Sequence, residues 1–387
     1  MRIIVAGIIA RYPFGGVTWC SLMYLLGLRS LGHDVYYLED TGECVYDPVK
    51  NTISLDASCG LNYINDALSQ FDLGDRWIFV DHEGKHHGKN LTQTRAICAG
   101  ADIFIDLSGG CWFWRDEYRQ IPRKIFIDSD PAFTQAALAK GEEWYVEFFK
   151  GFDALFTFGH NLGAEDCTIP ETSFKWHKTW QPVVCDEWSN GDVTPRDLFT
   201  TVMTWKNQSF DAADGNKDKQ FVQFLDLPSQ TEQPIELAVN GPHELLRAHG
   251  WRVVDGMAVS SDINKYRDYV QHSKAEFSVA KHLYVTTRSG WFSDRSECYM
   301  AAGRPVLVQE TGFSKYLPTG EGLLAFSNLE EAVEGISRIN RDYERHSRKA
   351  REIACEFFDA RVVLPKLLSE AQPALSLTRS TESNVKR

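Results

Sequence analysis

A rhythm of short apolar runs, each followed by a longer stretch with helical spacing, limits what this chain can fold into. Residues 3–6 form the first run. A loop with Gly15 and Gly16 follows, and Leu22, Leu25, Leu26 and Leu28 mark one side of a helix over residues 17–31, which Gly32 stops. The next run is 35–38. Strand, helix, strand in that order is a βαβ unit, and its right-handed crossover makes the two strands parallel neighbours. Further runs at 77–80, 103–107, 124–128 and 154–158 are interspersed with helical segments, one of them over 132–149. Short strands that are apolar throughout belong in a parallel sheet covered by helices on both faces.

The rhythm restarts beyond Pro182 and the polar stretch 186–197. Strands are expected at 198–203, 235–239, 252–254, 276–279 and 305–309, and helices at 242–248, 263–273, 294–302 and 329–339. A chain of 387 residues is too long for one ordinary core, so the expectation is α/β with two Rossmann-like, doubly wound domains facing a central cleft. The first spans 1–185 and the second 186–357. A helix over 358–375 is placed to cross back to the first domain, and 376–387 reads as a flexible tail.

Charge narrows the partners. With 53 acidic and 41 basic residues the formal charge is −12, which disfavours nucleic acid and anionic membranes as general partners. Nine cysteines lie scattered without a C-x-x-C pair, and no apolar stretch is long enough to span a membrane. The beginning reads as a strand rather than a signal peptide, so a cytoplasmic location is expected. The histidine pair around Asp81, His82, His86 and His87 sits in a turn and reads as solvated, not as a metal site.

Ligands of doubly wound sheets bind beyond the carboxyl ends of the strands. Three segments have the right form. Gly15, Gly16 and Thr18 make a first βα loop suited to a phosphate or an acceptor. Residues 287–305 are read as Arg288, Ser289 and Gly290 ending a strand, then a helix start at Asp294 with Arg295 and Ser296, parts that suit a diphosphate without a metal. Residues 309–323 bring Thr311, Gly312, Phe313 and Glu321 close to glycine turns, where a ribose or sugar finds hydroxyl acceptors. Basic candidates for the diphosphate are Lys206, Lys281 and Arg295.

Residues 288–326, with Gly303-Arg304-Pro305-Val306, Thr311-Gly312 and Glu321-Gly322-Leu323-Leu324, resemble the donor half of GT-B glycosyltransferases. They are most similar to retaining family four and to an uncharacterised related group with the strings 291–296 and 309–313. The resemblance implies a hexosyltransferase-like enzyme using a nucleotide-sugar co-substrate, UDP- or GDP-linked, with no resident cofactor or essential metal. A small-molecule, glycan or lipid-linked acceptor follows from the same resemblance. Family four carries a spaced pair of glutamates ahead of the glycine-proline turn. The matching positions here are Gly290 and Cys298, with Glu297 one place off, so Glu297 or Glu321 is left for the ribose.

If the reaction inverts the sugar, a base is required in the first domain. Asp128 and Asp130 stand at a strand end, and His160 follows another strand. An epimerase or phosphorylase on the same architecture, or a non-catalytic nucleotide-sugar-binding protein, fits the same residues.

Overall fold

The computed structural model describes residues 1–189, 191, 193–206 and 216–372. The tail at 376–387 lies outside them. Two sheets dominate. The first is built from β1 (Arg2–Ala6), β2 (Asp34–Glu39), β5 (Trp77–Val80), β6 (His86–His87), β7 (Ile103–Leu107), β8 (Arg123–Asp128), β9 (Ala154–Thr157) and β10 (Trp176–Lys178), in the order β10-β9-β8-β7-β1-β2-β5-β6. A small hairpin, β3 (Val45–Asp47) and β4 (Thr52–Ser54), stands apart. The second sheet has β11 (Phe199–Thr204), β12 (Ile235–Asn240), β13 (Arg252–Asp255), β14 (Ala275–Ser278), β15 (Val306–Gln309) and β16 (Leu323–Phe326), in the order β13-β12-β11-β14-β15-β16. Every pairing in both sheets is parallel except β5 with β6.

Helices α1 (Gly15–Ser30), α2 (Ser58–Ser69), α3 (Leu91–Ala99), α4 (Asp116–Arg119), α5 (Phe133–Ala139) and α6 (Glu143–Lys150) cover the first sheet. The expected single helix over 132–149 is two, because Gly141 turns the chain with φ +73° between them. In the second half come α7 (Asp218–Phe221), α8 (His243–Ala248), α9 (Gly256–Ser260), α10 (Ile263–Gln271), α11 (His282–Thr286) and α12 (Asp294–Ala301). Then follow α13 (Leu329–Arg341), α14 (Tyr343–Ile353) and α15 (Ala360–Glu370). Among the described residues no helix is long and apolar enough to cross a membrane.

The strand expected to end at Arg288–Gly290 is absent. Residues 282–286 form α11, closed by the bond from Thr287 N to Leu283 O, and the adjacent strand is β14, which ends at Ser278. The β-branched run misleads because only Tyr284 of that helix is buried, and its neighbours need no sheet. β16 was not expected either: Leu323, Leu324 and Phe326 are buried, but the run is short and glycine-flanked.

The two sheets point the carboxyl ends of their strands at each other. One apolar cluster runs through the junction, from Trp19 and Leu22 on α1 through Trp188 and Tyr266 to Phe292, Tyr299 and Phe358. Trp19 donates its indole N–H to Ile263 O at 2.9 Å. The chain crosses between domains a second time where Ala360 N bonds to Val183 O at 2.8 Å, and α15 then packs on α1.

Candidate functional site

The helix that carries the resemblance, α12, begins just beyond β14 and beside the end of β15. Ser293 is its N-cap position but supplies no side-chain cap, and the first helical bond runs from Glu297 N to Ser293 O. The N-terminal amides therefore lack intrahelical acceptors; Asp294 and Glu297 stand in the first turn, and the Asp294 carboxyl accepts from Arg295 N. Ser296 is fully buried and its hydroxyl has no hydrogen-bond partner among the described residues. It lines a small cavity with Ser278, Ser293, Gln309 and Phe313.

Beside this end sits a residue that sequence reading missed. Lys217 is only 9% exposed. Burial, and then the charge of Arg295, push its pKa well below the usual lysine range; Glu276, Lys281 and Asp294 are its other charged neighbours. A buried cation under that pressure is stabilised by an incoming anion. The sequence signal was weak, since Lys217 lies in a polar, glycine-containing stretch without periodicity.

Arg295 is turned inward. Its guanidinium donates to Glu276 at 2.6 Å, to Val202 O at 3.0 Å and to Ser278 Oγ at 2.6 Å, so much of it is spent on the ends of β11 and β14. Lys281 reaches across the junction to Asp130, which also accepts from the Tyr284 hydroxyl. Burial opposes the Asp130 charge, but Lys281 and Tyr284 outweigh it and hold its pKa below the ordinary value. Asp294 is raised by burial, against the pull of Arg295. Glu297 accepts from Gln181 N, its other oxygen is buried without a partner among the described residues, and burial followed by Asp294 drives its pKa well up.

Arg288, Ser289, Gly290, Thr311, Gly312 and Phe313 come together, chiefly as a seam between the domains. Asn161, fully buried, is its hub. Its N–H donates to Ser289 O at 3.1 Å, its side-chain amide donates to Arg288 O at 2.8 Å, and its carbonyl accepts from Tyr316 at 2.9 Å. Gly290 N bonds to Thr311 O at 2.7 Å, and Phe313 packs on Phe292. Arg288 and Lys315 both pair with Asp166. Sequence reading missed Asn161, because an asparagine after a strand carries no signal of its role across a domain boundary.

Several expected residues lie elsewhere. Glu321 precedes β16, at the amino end of the sheet, and pairs with Arg345 at 2.7 Å on the surface; a strand that had not been foreseen puts it at the wrong end for the ribose. Gly15 and Gly16 begin α1 and abut Tyr266 of α10, so their close approach serves packing. Thr18 Oγ1 lies 2.9 Å from Phe14 O and 3.0 Å from the Tyr63 hydroxyl. Lys206 is exposed after β11.

The proposed bases differ sharply. Asp128 is buried and accepts from Thr134 and Gln135 at 2.8 Å and from Thr157 at 2.9 Å, which makes it a brace for α5 and β9. His160 stacks on Trp180 and donates Nε2–H to Thr179 O at 3.0 Å; burial depresses its pKa to about 3, too weak for a base. Asp130 is paired across the domain junction with Lys281 and Tyr284, whereas His160 meets the opposite domain through a ring contact with Tyr316. His87 pairs with Asp81 at 2.8 Å, and no metal-ligand cluster occurs among the described residues.

Three buried carboxyls share one titration. Glu39 accepts from Ala10 N and Arg11 N, Asp106 from Gly109 N and Gly110 N, and burial raises them to about 7 and about 8; burial takes Asp128 to about 6. All three lie above the unfolded carboxylate value of about 4, so the folded chain holds extra protons between there and about pH 8. Their stabilising contribution is complete below about pH 4, declines as pH rises above that, and is gone once pH has passed the folded values of about 6, 7 and 8. The melting temperature is expected to fall between pH 5 and 8.5, and Asp106→Asn to flatten the upper part of that fall.

No protein-family model and no curated protein matches this sequence. Solved structures do. An alpha-glucosyltransferase in complex with UDP and a 13-mer DNA containing a HMU base superposes with a TM-score of 0.61 at 11% identity, covering 96% of this chain and 99% of that one. HepE of Anabaena in complex with UDP-glucose gives 0.56 at 10% identity, over 95% and 98%. AviGT4, a glycosyltransferase involved in Avilamycin A biosynthesis, gives 0.52 at 13% identity, over 96% and 97%. Near-complete coverage of both chains in each case, with two parallel sheets opposed at their carboxyl ends, makes this the two-domain GT-B fold of those glycosyltransferases.

Proposed function

We propose that the chain is a glycosyltransferase that moves a sugar from a nucleotide-sugar donor to an acceptor, holding the donor diphosphate at the start of α12 without a metal. The observation that carries this is the pairing of a helix N-terminus without a side-chain cap, and a buried Ser296 hydroxyl that has no partner among the described residues, with the buried cation Lys217. Each is unfavourable alone and each is relieved by a phosphate oxygen. The negative charge that grows on the leaving diphosphate would meet preorganised donors, the usual source of the largest rate term. Lys281, offered a second anion, would loosen from Asp130, whose carboxylate then faces the cleft as acceptor base. UDP is the favoured nucleotide, because two of the solved neighbours were captured with UDP or UDP-glucose. The −12 charge speaks against DNA as acceptor here, although one neighbour was solved with it.

A thermal-shift panel of UDP, GDP, TDP and ADP sugars, each with magnesium or with EDTA, tests the reading. A UDP-sugar is expected to raise the melting temperature equally in both conditions, at least tenfold more weakly in Ser296→Ala by midpoint concentration. A flat panel, or a shift that needs magnesium, counts against it.

A further inference from the structure

The loop after β7 carries Trp112, Phe113 and Trp114 in succession, and Trp114 reaches back along the sheet to pack on Phe104 and Phe152. With Phe148 and Trp144 of α6 they surround an open cavity of about 460 Å3, rimmed by Arg119, Glu147 and Lys150. That volume lies within the range of roughly 300–1,000 Å3 typical of small-molecule sites. Trp144 is 59% exposed, a large apolar group that the core does not use.

The lining is built rather than incidental. Trp112 stacks on Tyr145 with an interplanar angle of 26°, and Trp114 on Phe148 at 27°. Both rings rest on glycine: a Cβ on Gly109 would come within 2.5 Å of Trp112, and one on Gly151 within 2.2 Å of Trp114. Asp106 fixes the near end of the loop through Gly109 N and Gly110 N, and Arg115 fixes the far end with a two-pronged bond to Asp40.

The loop also touches the donor side. Ser108, at its start, lies 2.7 Å from the Ser129 hydroxyl, and Ser129 O accepts the Trp291 indole N–H at 3.1 Å, just before α12. Trp112 is four positions beyond Ser108, at most about 14 Å of chain.

We propose that this groove binds carbohydrate, as a subsite for a sugar of the acceptor; the acceptor role rests on the function proposed above. A sugar ring has a C–H face that packs on the electron-rich face of an aromatic ring, and hydroxyls at its edge that need donors and acceptors. Here flat rings form the floor, and charged groups of both signs interleave at the rim. A lipid tail or an apolar helix face would call for a continuous apolar rim, which Arg119, Glu147 and Lys150 interrupt.

The test titrates the full chain with maltotriose, cellotriose, chitotriose and mannotriose by calorimetry and tryptophan fluorescence. At least one trisaccharide is expected to bind, at least tenfold more weakly in Trp144→Ala and almost unchanged in Trp144→Phe. The UDP-glucose thermal shift is expected to be the same in all three proteins. If no trisaccharide binds, or Trp144→Ala binds as well as the parent, the proposal is overturned. It is equally overturned if Trp144→Ala instead abolishes self-association or binding to phosphatidylcholine vesicles. Trisaccharide binding without any UDP-glucose shift would leave the groove standing and remove the donor reading instead.

Discussion

Replacing Lys217 with methionine is expected to lower kcat/KM for sugar transfer by about 100- to 1,000-fold, the usual cost of removing one preorganised donor to developing negative charge. Methionine keeps the length and apolar stem of the side chain, and the variant should be more stable than the parent without donor. The reason is the unfavourable position of the ammonium: burial and the adjacent Arg295 both push against its charge. Loss of function with gain of stability is the signature of a charge kept for a ligand. Chemical denaturation without donor, set beside steady-state kinetics, reads both halves. A variant that is destabilised and loses activity in proportion would make Lys217 a structural residue.

Gly290→Val is expected to cost about 3 kcal/mol or more of folding stability, through the strain of a special backbone conformation and a severe overlap. Gly290 has φ +75°, and a Cβ there would sit 2.3 Å from Asn161 N and 2.8 Å from Asn161 Cβ. The overlap falls on the segment that bonds Ser289 O and Arg288 O, so the seam between the domains gives way before either sheet. Gly163→Ala is the control. It shares a positive φ, +84°, but has nothing within 4 Å, so only the backbone cost of about 1–2 kcal/mol should appear. Urea denaturation is expected to show a split or broadened transition for Gly290→Val and a single one for Gly163→Ala. Equal losses in the two variants would mean that the close approach at Asn161 carries no weight.

The sheets were legible because buried parallel strands announce themselves. Residues 3–6 and 35–38 are unbroken apolar runs and 103–107 is broken only by Asp106, and β1, β2 and β7 lie on them. The failures occurred where local composition and tertiary context disagree. The run 282–287 has strand-like residues, yet it folds as α11 because the Tyr284 hydroxyl reaches Asp130 from a helix and the sheet has no place for another strand there. Glu321 was assigned by its glycine neighbours; with β16 behind it, the same glycines lie at the amino end of the sheet. The helix start at Asp294 was readable from its sequence, since a serine ahead of an acidic first turn is a recognised beginning. The direction of its side chains was not: Arg295 faces inward to Glu276, and the cation beside the helix end is Lys217, far away in sequence. Asn161 and Lys217 share this cause. Each acts on groups more than a hundred residues, or a whole sheet, away along the chain, and no local pattern encodes such a partner.

A crystal structure with UDP is the most direct test of where the donor diphosphate binds. The diphosphate oxygens are predicted within hydrogen-bond distance of Ser296 Oγ and Lys217 Nζ at the start of α12, with Lys281 drawn from Asp130 and no metal density between the phosphates. UDP bound elsewhere, or at α12 only through a metal ion with Lys217 left untouched, would contradict that placement.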